Sequence, residues 1–297
     1  MRLDHTFIAI RERGMLEICD LALHVVRYHF RPLLALLFLG AAPWAVVNWL
    51  LTNWLAVGIF ASDYAVHFFW LSTVLVISQA QIGTSLITSY LGQIMFVGRV
   101  GVFATMFESW RLLPKFWWLH GVVRLVAPVL FVVWLTWQAD EDTLLAYSYL
   151  LLPLLILITM LVRALRPFIS EIILLEHTPI RTLDSNRINF NRRSASLHGS
   201  VGSELFGRFI LTCLFFPFLT FTFYSMFVLT DTTLNLQSSL EFPLSSIYWP
   251  VALWLTAGFA AVVRFLSYLD IRIRQEGWAV ELKMRAEGQR LSAGEWR

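Results

Sequence analysis

Six stretches of this chain carry no Asp, Glu, Lys or Arg: 32–62, 64–98, 125–139, 143–162, 209–230 and 242–263. Their lengths are 31, 35, 15, 20, 22 and 22 residues. A helix rising 1.5 Å per residue needs about 20 apolar residues to cross about 30 Å of hydrocarbon. Five of the six runs meet that length unaided. The third begins after Arg124 and is too short unless it is extended back through Phe116, Trp117, Trp118 and Leu119. That extension puts Arg124 one to two turns inside the boundary. There its long side chain is expected to snorkel to the headgroups, with a substrate-facing arginine as the alternative.

Composition agrees with the runs. Only 14% of residues are charged and 58% are hydrophobic, whereas a soluble globular chain carries roughly 25% charge. Such a chain cannot clothe itself in a polar surface, so a soluble enzyme and a disordered protein are both excluded. The net charge of +3 is too small to call for nucleic acid as a partner. Cys19 and Cys213 stand far apart without zinc-type spacing, so neither a disulfide framework nor a metal site is expected. The N-terminus does not read as a secretory signal, because the first long apolar run starts only after Arg31.

The fold class expected is therefore an all-α membrane protein of six transmembrane helices, forming one polytopic domain over 1–297. The spans are expected at about 33–58, 66–96, 118–138, 143–165, 207–230 and 244–268, with a cytoplasmic tail over 269–297. Charge decides the orientation. The connecting loops at about 59–65, 138–143 and 231–243 hold Asp63, Asp140, Glu141, Asp142, Asp231 and Glu241 but no Lys or Arg. All 23 basic residues lie on the other side or at its edge. Basic residues favour the cytoplasm, so both termini are expected inside a bacterial cytoplasmic membrane. Trp134 and Trp137 near one boundary, and Trp117 and Trp118 near the other, suit interfacial aromatic belts.

The side rich in Arg also carries patterned polar segments. Residues 14–30 place Leu16, Cys19, Leu23, Val26 and Phe30 at helical spacing, with Glu17, Asp20, His24 and Arg27 on other faces. This predicts an amphipathic helix lying in the headgroup plane. Residues 101–114 read similarly, and 168–176 reads as a third interfacial segment beyond Pro167. Glu108-Ser109-Trp110-Arg111 before the third span echoes Asp184-Ser185-Asn186-Arg187 before the fifth, which raises the expectation of three repeated helical hairpins. Arg187, Arg192 and Arg193 form a basic cluster suited to anionic headgroups or a docking partner. Together with Arg124, Asp270, Arg272 and Arg274 they make up the expected cytoplasmic docking or headgroup set. Asp270 with Arg274, and Arg272 with Glu276, are i,i+4 pairs on a helix extension expected to be solvated.

Within the second run, Gln81, Ser85, Thr88 or Ser89 and Gly92 share a face, and Gln79, Thr84 and Gln93 lie nearby. Amides and hydroxyls in lipid need partners, so the stripe of Gln79, Gln81, Ser85, Thr88 and Ser89, with Asn48, is either interhelical glue or the lining of a polar cavity. Pro43, Pro128, Pro153, Pro217 and Pro250 predict kinks. No catalytic constellation emerges and no cofactor is called for. Glu171, Glu176, His177, His198 and Ser200 are the acid–base candidates at the membrane face, but Glu171 and Glu176 lie roughly 140° apart around a helix.

The opening Gly14-Met15-Leu16-Glu17-Ile18-Cys19-Asp20 with Tyr28-His29-Phe30, the stretch from Ile172 to Glu176 followed by Leu183 to Ser185, and the closing Tyr268-Leu269-Asp270-Ile271-Arg272-Ile273-Arg274-Gln275-Glu276-Gly277 resemble bacterial polytopic proteins related to the membrane domain of glycerophosphoryl diester phosphodiesterases. The resemblance covers most of the chain, and Ala279 departs from the acidic residue expected there. It implies a six-helix inner-membrane protein, and the chain has no room for the separate phosphodiesterase domain of some relatives. The function expected is a non-enzymatic scaffold or regulatory component of a membrane complex, with membrane lipids and a membrane-protein partner at its cytoplasmic face. The alternatives are a transporter or lipid-handling protein with a polar cavity between kinked helices, and a membrane-interface enzyme.

Overall fold

A computed structural model describes residues 14–57, 65–97, 101–124, 126–136, 147–176, 190–199, 201–235 and 242–275. Among them every regular element is helical. In chain order these are α1 (Met15–Tyr28), α2 (Phe30–Val57), α3 (Ala65–Gly83), α4 (Ser85–Val97), α5 (Val102–Trp117), α6 (Val126–Thr136), α7 (Leu152–Leu165), α8 (Ile169–Glu176), α9 (Phe190–Gly199), α10 (Gly202–Asn235) and α11 (Phe242–Gln275). Widened π-helical turns lead into α6 over Trp118–Val123 and into α7 over Tyr147–Leu151.

Four helices among the described residues are long and apolar enough to cross a membrane: Phe30–Thr52, Val66–Met95, Gly202–Leu234 and Ile247–Gln275. A fifth arises if α7 and α8, bent by 49°, form one broken span. Six spans and a threefold hairpin repeat are therefore more than the helices themselves establish. The expected third span of 118–138 is interrupted at Arg124. Its apolar remainder, α6, has 11 residues and at 1.5 Å per residue is too short to cross alone. Pro128 and Pro153 lie in the first turns of α6 and α7, where a missing N–H costs little. Pro43, Pro217 and Pro250 lie inside continuous helices.

The centre of the bundle is α3 with its continuation α4, and α11. In the most apolar window of Val66–Met95, 78% of residues are buried, against 6% for α10. This decides which span is core and which faces outward. Contacts fix the directions. His29 with Tyr90, Gly40 with Gly83 and Asn48 with Gln79 set α2 antiparallel to α3–α4. Trp249 with Thr73 and Trp254 with Gly83 set α11 parallel to α3. Arg208 with Asp270 and Thr220 with Thr256 set α10 antiparallel to α11.

Two corrections follow from burial. Residues 168–176 are not interfacial: Phe168, Ile169, Ser170, Glu171, Ile172, Ile173 and Leu174 are all buried. Nor is 269–275 a solvated tail, because α11 continues to Gln275 and buries Leu269, Asp270 and Ile271. α1 forms as a helix over Met15–Tyr28 with one buried and one exposed side. Ile18 and Ala22 join the core that holds Leu269 and Ile271, while Leu16, Leu23 and Tyr28 are exposed. Of the loops expected outside, 231–243 is narrowed by α10, which runs on to Asn235, and α11, which starts at Phe242; the other two loops but for Ala65, with Arg187, His177, Ser200 and the chain beyond Gln275, lie outside the described residues.

The α2–α3 crossing is close because both helices present glycine. A Cβ built on Gly40 would stand 2.0 Å from the carbonyl oxygen of Gly83, and one on Gly83 would stand 2.5 Å from the Trp254 ring. Small residues let membrane helices approach backbone to backbone. Gly40→Ala should therefore cost more than Gly83→Ala, since a carbonyl in a helix cannot step aside as a ring can. The expected penalty for Gly40→Ala is about 1–3 kcal/mol. Thermal unfolding of the two variants in detergent checks the order, and equal melting temperatures would contradict it.

Candidate functional site

The bend between α7 and α8 starts with sequence. Pro167 disfavours helical backbone at the residue before it, and Arg166 is indeed non-helical, at φ −144° and ψ 76°. A break in a membrane helix frees a carbonyl and an N–H that lipid cannot satisfy. Both find side chains. Arg124 donates through Nη2 to the carbonyl of Arg166, and the Phe168 N–H donates to His198 Nε2 at 3.5 Å. Arg124 also donates through Nη1 to Gln81 Oε1 at 2.7 Å. Its guanidinium thus joins the π-helical turn before α6, the polar stripe of α3 and the α7–α8 bend.

Arg124 does not snorkel. It is 2% exposed and ranks among the largest fully buried side chains. A guanidinium has five N–H donors and no acceptor, so the amide oxygen of Gln81 and the freed carbonyl are better company than hydrocarbon. Two further arginines lie at the same level. Arg163 on α7 donates to the carbonyl of Ser78. Arg264 on α11 donates through Nε to Glu171 Oε1 at 2.6 Å, and Glu171 is fully buried. His120, also fully buried, sits within reach of Ser170 Oγ at 3.4 Å and packs on the Phe116 ring. The charges of Arg124, Arg163 and Arg264 act on one another and on His120.

Further along α11, two more networks bind neighbouring helices. Glu176 at the end of α8 takes a forked pair from Arg193 of α9, with Nε–Oε2 at 2.6 Å and Nη2–Oε1 at 2.7 Å. It also accepts from the Tyr268 hydroxyl at 2.6 Å, while Arg272 approaches to 3.7 Å. Asp270 accepts from Arg208 at 2.7 Å and from Arg274 at 3.0 Å. Glu204 accepts from both of those arginines, at 2.6 and 2.7 Å.

The expected site residues therefore divide. The polar stripe is packed between helices. Gln79 donates to Asn48 Oδ1 at 2.8 Å, Gln81 accepts from Arg124, and the Ser85 hydroxyl returns to the Ile82 carbonyl at 2.7 Å. Thr88 and Ser89 are buried beside them. Of the docking set, Arg192 is exposed, whereas Arg193, Asp270, Arg272 and Arg274 bind within the protein. Glu171 and Glu176 are each held by arginine. Among the described residues no three His, Cys, Asp or Glu side chains come together as a metal site.

Sequence reading missed Arg163, Arg264 and Glu171 as a group. A usable signal was present: Arg124, Arg163 and Arg264 are each the charge that borders an uncharged run on its basic side. Residues at one depth of three packed helices can meet. Arg124 alone reads as a boundary charge from the sequence, because depth does not say which way a side chain points or what it meets.

His198 holds the neutral form. Its Nδ1 donates to the Ser194 carbonyl at 2.6 Å while Nε2 accepts from Phe168, and its ring stacks on the Phe168 ring. Burial, with help from the Arg166 and Arg124 charges, holds its pKa below the usual imidazole range. The unfolded chain takes up this proton near pH 6.5, before the folded chain does. Stability from this group is thus present above about pH 6.5 and lost as pH falls below it. His198→Gln should flatten the drop in melting temperature between pH 7.5 and pH 5, and an unchanged slope would refute the assignment.

The Glu171–Arg264 pair gives a second expectation. Glu171→Leu leaves Arg264 without its carboxylate and should cost about 3–5 kcal/mol. The double change Glu171→Leu with Arg264→Leu should recover much of that loss, because apolar replacement of both partners removes the uncompensated charge. A double-mutant cycle on unfolding measures it, and additive penalties would count against direct pairing. Comparison with family models, with curated proteins and with solved structures yields no match to this chain.

Proposed function

We propose that this chain is a non-enzymatic component of a bacterial inner-membrane complex, with both termini in the cytoplasm, that scaffolds or regulates its partners through the cytoplasmic face. The observation that carries the reading is the pairing of a locked interior with an apolar rim at one end of the bundle. Ion pairs join α8, α9, α10 and α11 there. Beside them, α1 exposes Leu16, Leu23 and Tyr28, and α5 exposes Phe103 and Phe107. Both helices stand near the same stretch of α4: Tyr90 meets His29 just after α1, and Gln93 accepts from Thr105 of α5 at 2.9 Å. A rigid base with large apolar side chains at the headgroup level suits contact with a second membrane protein.

The absence of Lys and Arg from the connecting loops supports the orientation. The resemblance to the phosphodiesterase-linked membrane-domain family, on the residues quoted above, supports a partner role without its reaction. The stripe on α3 and α4 supports helix packing in part, since Gln79 donates to Asn48, Gln81 accepts from Arg124 and Ser85 donates to a backbone carbonyl, while Gln79 Oε1, Asn48 Nδ2 and Thr88 Oγ1 have no partner among the described residues.

A photo-crosslinking residue at Phe107 or Leu23 tests the reading in cells. The expected result is one discrete protein adduct of fixed stoichiometry from either position. Capture of lipid alone at both positions would remove the basis for a scaffold. Thiol labelling of cysteines placed at 63, 141 and 235 from outside intact cells should succeed under the proposed orientation, and protection of all three would reverse it.

A further inference from the structure

We infer that the buried arginine cluster between α7, α8 and α11 is a binding site for a phosphate group that retains a P–OH, either free inorganic phosphate or a phosphomonoester lipid headgroup. Charge is the first ground. Arg124, Arg163 and Arg264 bring three guanidiniums to one level of the bundle, and Glu171 is the carboxylate that answers them there. Two positive charges are left over among packed helices. Buried charge without a counter-charge costs several kcal/mol per ion, and arginine cannot shed its proton to escape. A hydrogen phosphate dianion carries the two negative charges needed.

Geometry is the second ground. Arginine and carboxylate ordinarily meet as a fork of two parallel bonds. Here Arg264 uses only Nε on Glu171 Oε1. Arg264 Nη2 and Glu171 Oε2 are left buried and unpartnered among the described residues, together with Arg163 Nε and His120 Nδ1. Two guanidinium donors and one carboxylate acceptor thus face no protein partner within one cluster. A phosphate accepts from the first two through its oxygens, and a P–OH donates to Glu171 Oε2. Sulfate has the same charge and shape but no proton to give, so the carboxylate selects against it. The cluster lies near the protein surface, since Arg166 beside it is exposed, Arg163 is half-buried and the Arg264 side chain keeps 17% of its exposure. The inference is independent of the scaffold reading: a phosphate site serves whether or not the apolar rim docks a partner.

The test uses the full chain in phosphatidylcholine nanodiscs. Inorganic phosphate and sulfate are titrated at matched ionic strength, and in separate discs phosphatidic acid is compared with phosphatidylglycerol at equal charge density, with melting temperature as the readout. At least one phosphate source should stabilise, with about tenfold weaker half-saturation for sulfate than for phosphate. A response to the free ion alone assigns a soluble ligand, and a response to phosphatidic acid alone assigns a lipid headgroup. Arg163→Gln should weaken binding about tenfold or more. Glu171→Gln, which keeps an acceptor oxygen without the charge, should narrow the gap between phosphate and sulfate to about threefold or less. No stabilisation by either source, or sulfate and phosphatidylglycerol acting as well as their counterparts, overturns the inference. The wild-type comparison decides even where a variant fails to fold.

Discussion

A single guanidinium organises the middle of this bundle. Arg124 reaches the amide of Gln81 on α3 and the carbonyl of Arg166 at the α7–α8 bend. Three segments distant in sequence are joined by groups that could not be left unpaired in lipid. The bend exists because Pro167 forbids continuation, and it is tolerable because Arg124 and His198 take up the groups it frees. Removing water from the surroundings raises the stakes on every such contact. The two groups that the proline break frees are thus met by two residues, Arg124 ahead of α6 and His198 of α9.

The spine of the arrangement is the C-terminal half of α11. Arg264, Tyr268, Asp270, Arg272 and Arg274 lie within about three turns, and each level fastens a different neighbour. Arg264 holds α8 through Glu171, Tyr268 and Arg272 meet Glu176 beside Arg193 of α9, and Asp270 and Arg274 hold α10 through Arg208 and Glu204. The grip on α10 matters most. That span buries only 6% of its apolar window, so apolar packing alone holds it weakly to the bundle. Ion pairs at one end and the Thr220–Thr256 hydrogen bond further along fix its position on α11.

Rigid interior and apolar rim together shape the functional reading. The α3 stripe is spent in part on Asn48, Arg124 and helix carbonyls, with Gln79 Oε1, Asn48 Nδ2 and Thr88 Oγ1 left without a partner among the described residues. Polar capacity is also left over on Arg163, Arg264 and Glu171. There, unlike on the stripe, it comes with charge, at the level where three arginines converge. That place is suited to holding one anion firmly, and the rim of α1 and α5 is suited to contact outside the chain.

Much of this was legible in the chain. Uncharged runs gave the membrane class and the place of α2, α3–α4, α10 and α11, and helical spacing gave the Asp270–Arg274 pair. Those conclusions rest on solvation, which acts on each segment by itself and can be read from composition and period. The third span is not among the helices long and apolar enough to cross, because the backbone yields at Arg124 and charge spacing alone does not show such a break. Segment 168–176 reads as interfacial beyond Pro167, yet Glu171 is buried and Glu176 half-buried because Arg264 and Arg193 come to them from other helices. Whether Arg124 turns toward headgroups or inward was likewise undetermined, since both directions satisfy a lone arginine. Solvation thus fixes which segments enter the bilayer, but the direction of a charged side chain depends on partners far away in sequence, and only the packed helices supply them.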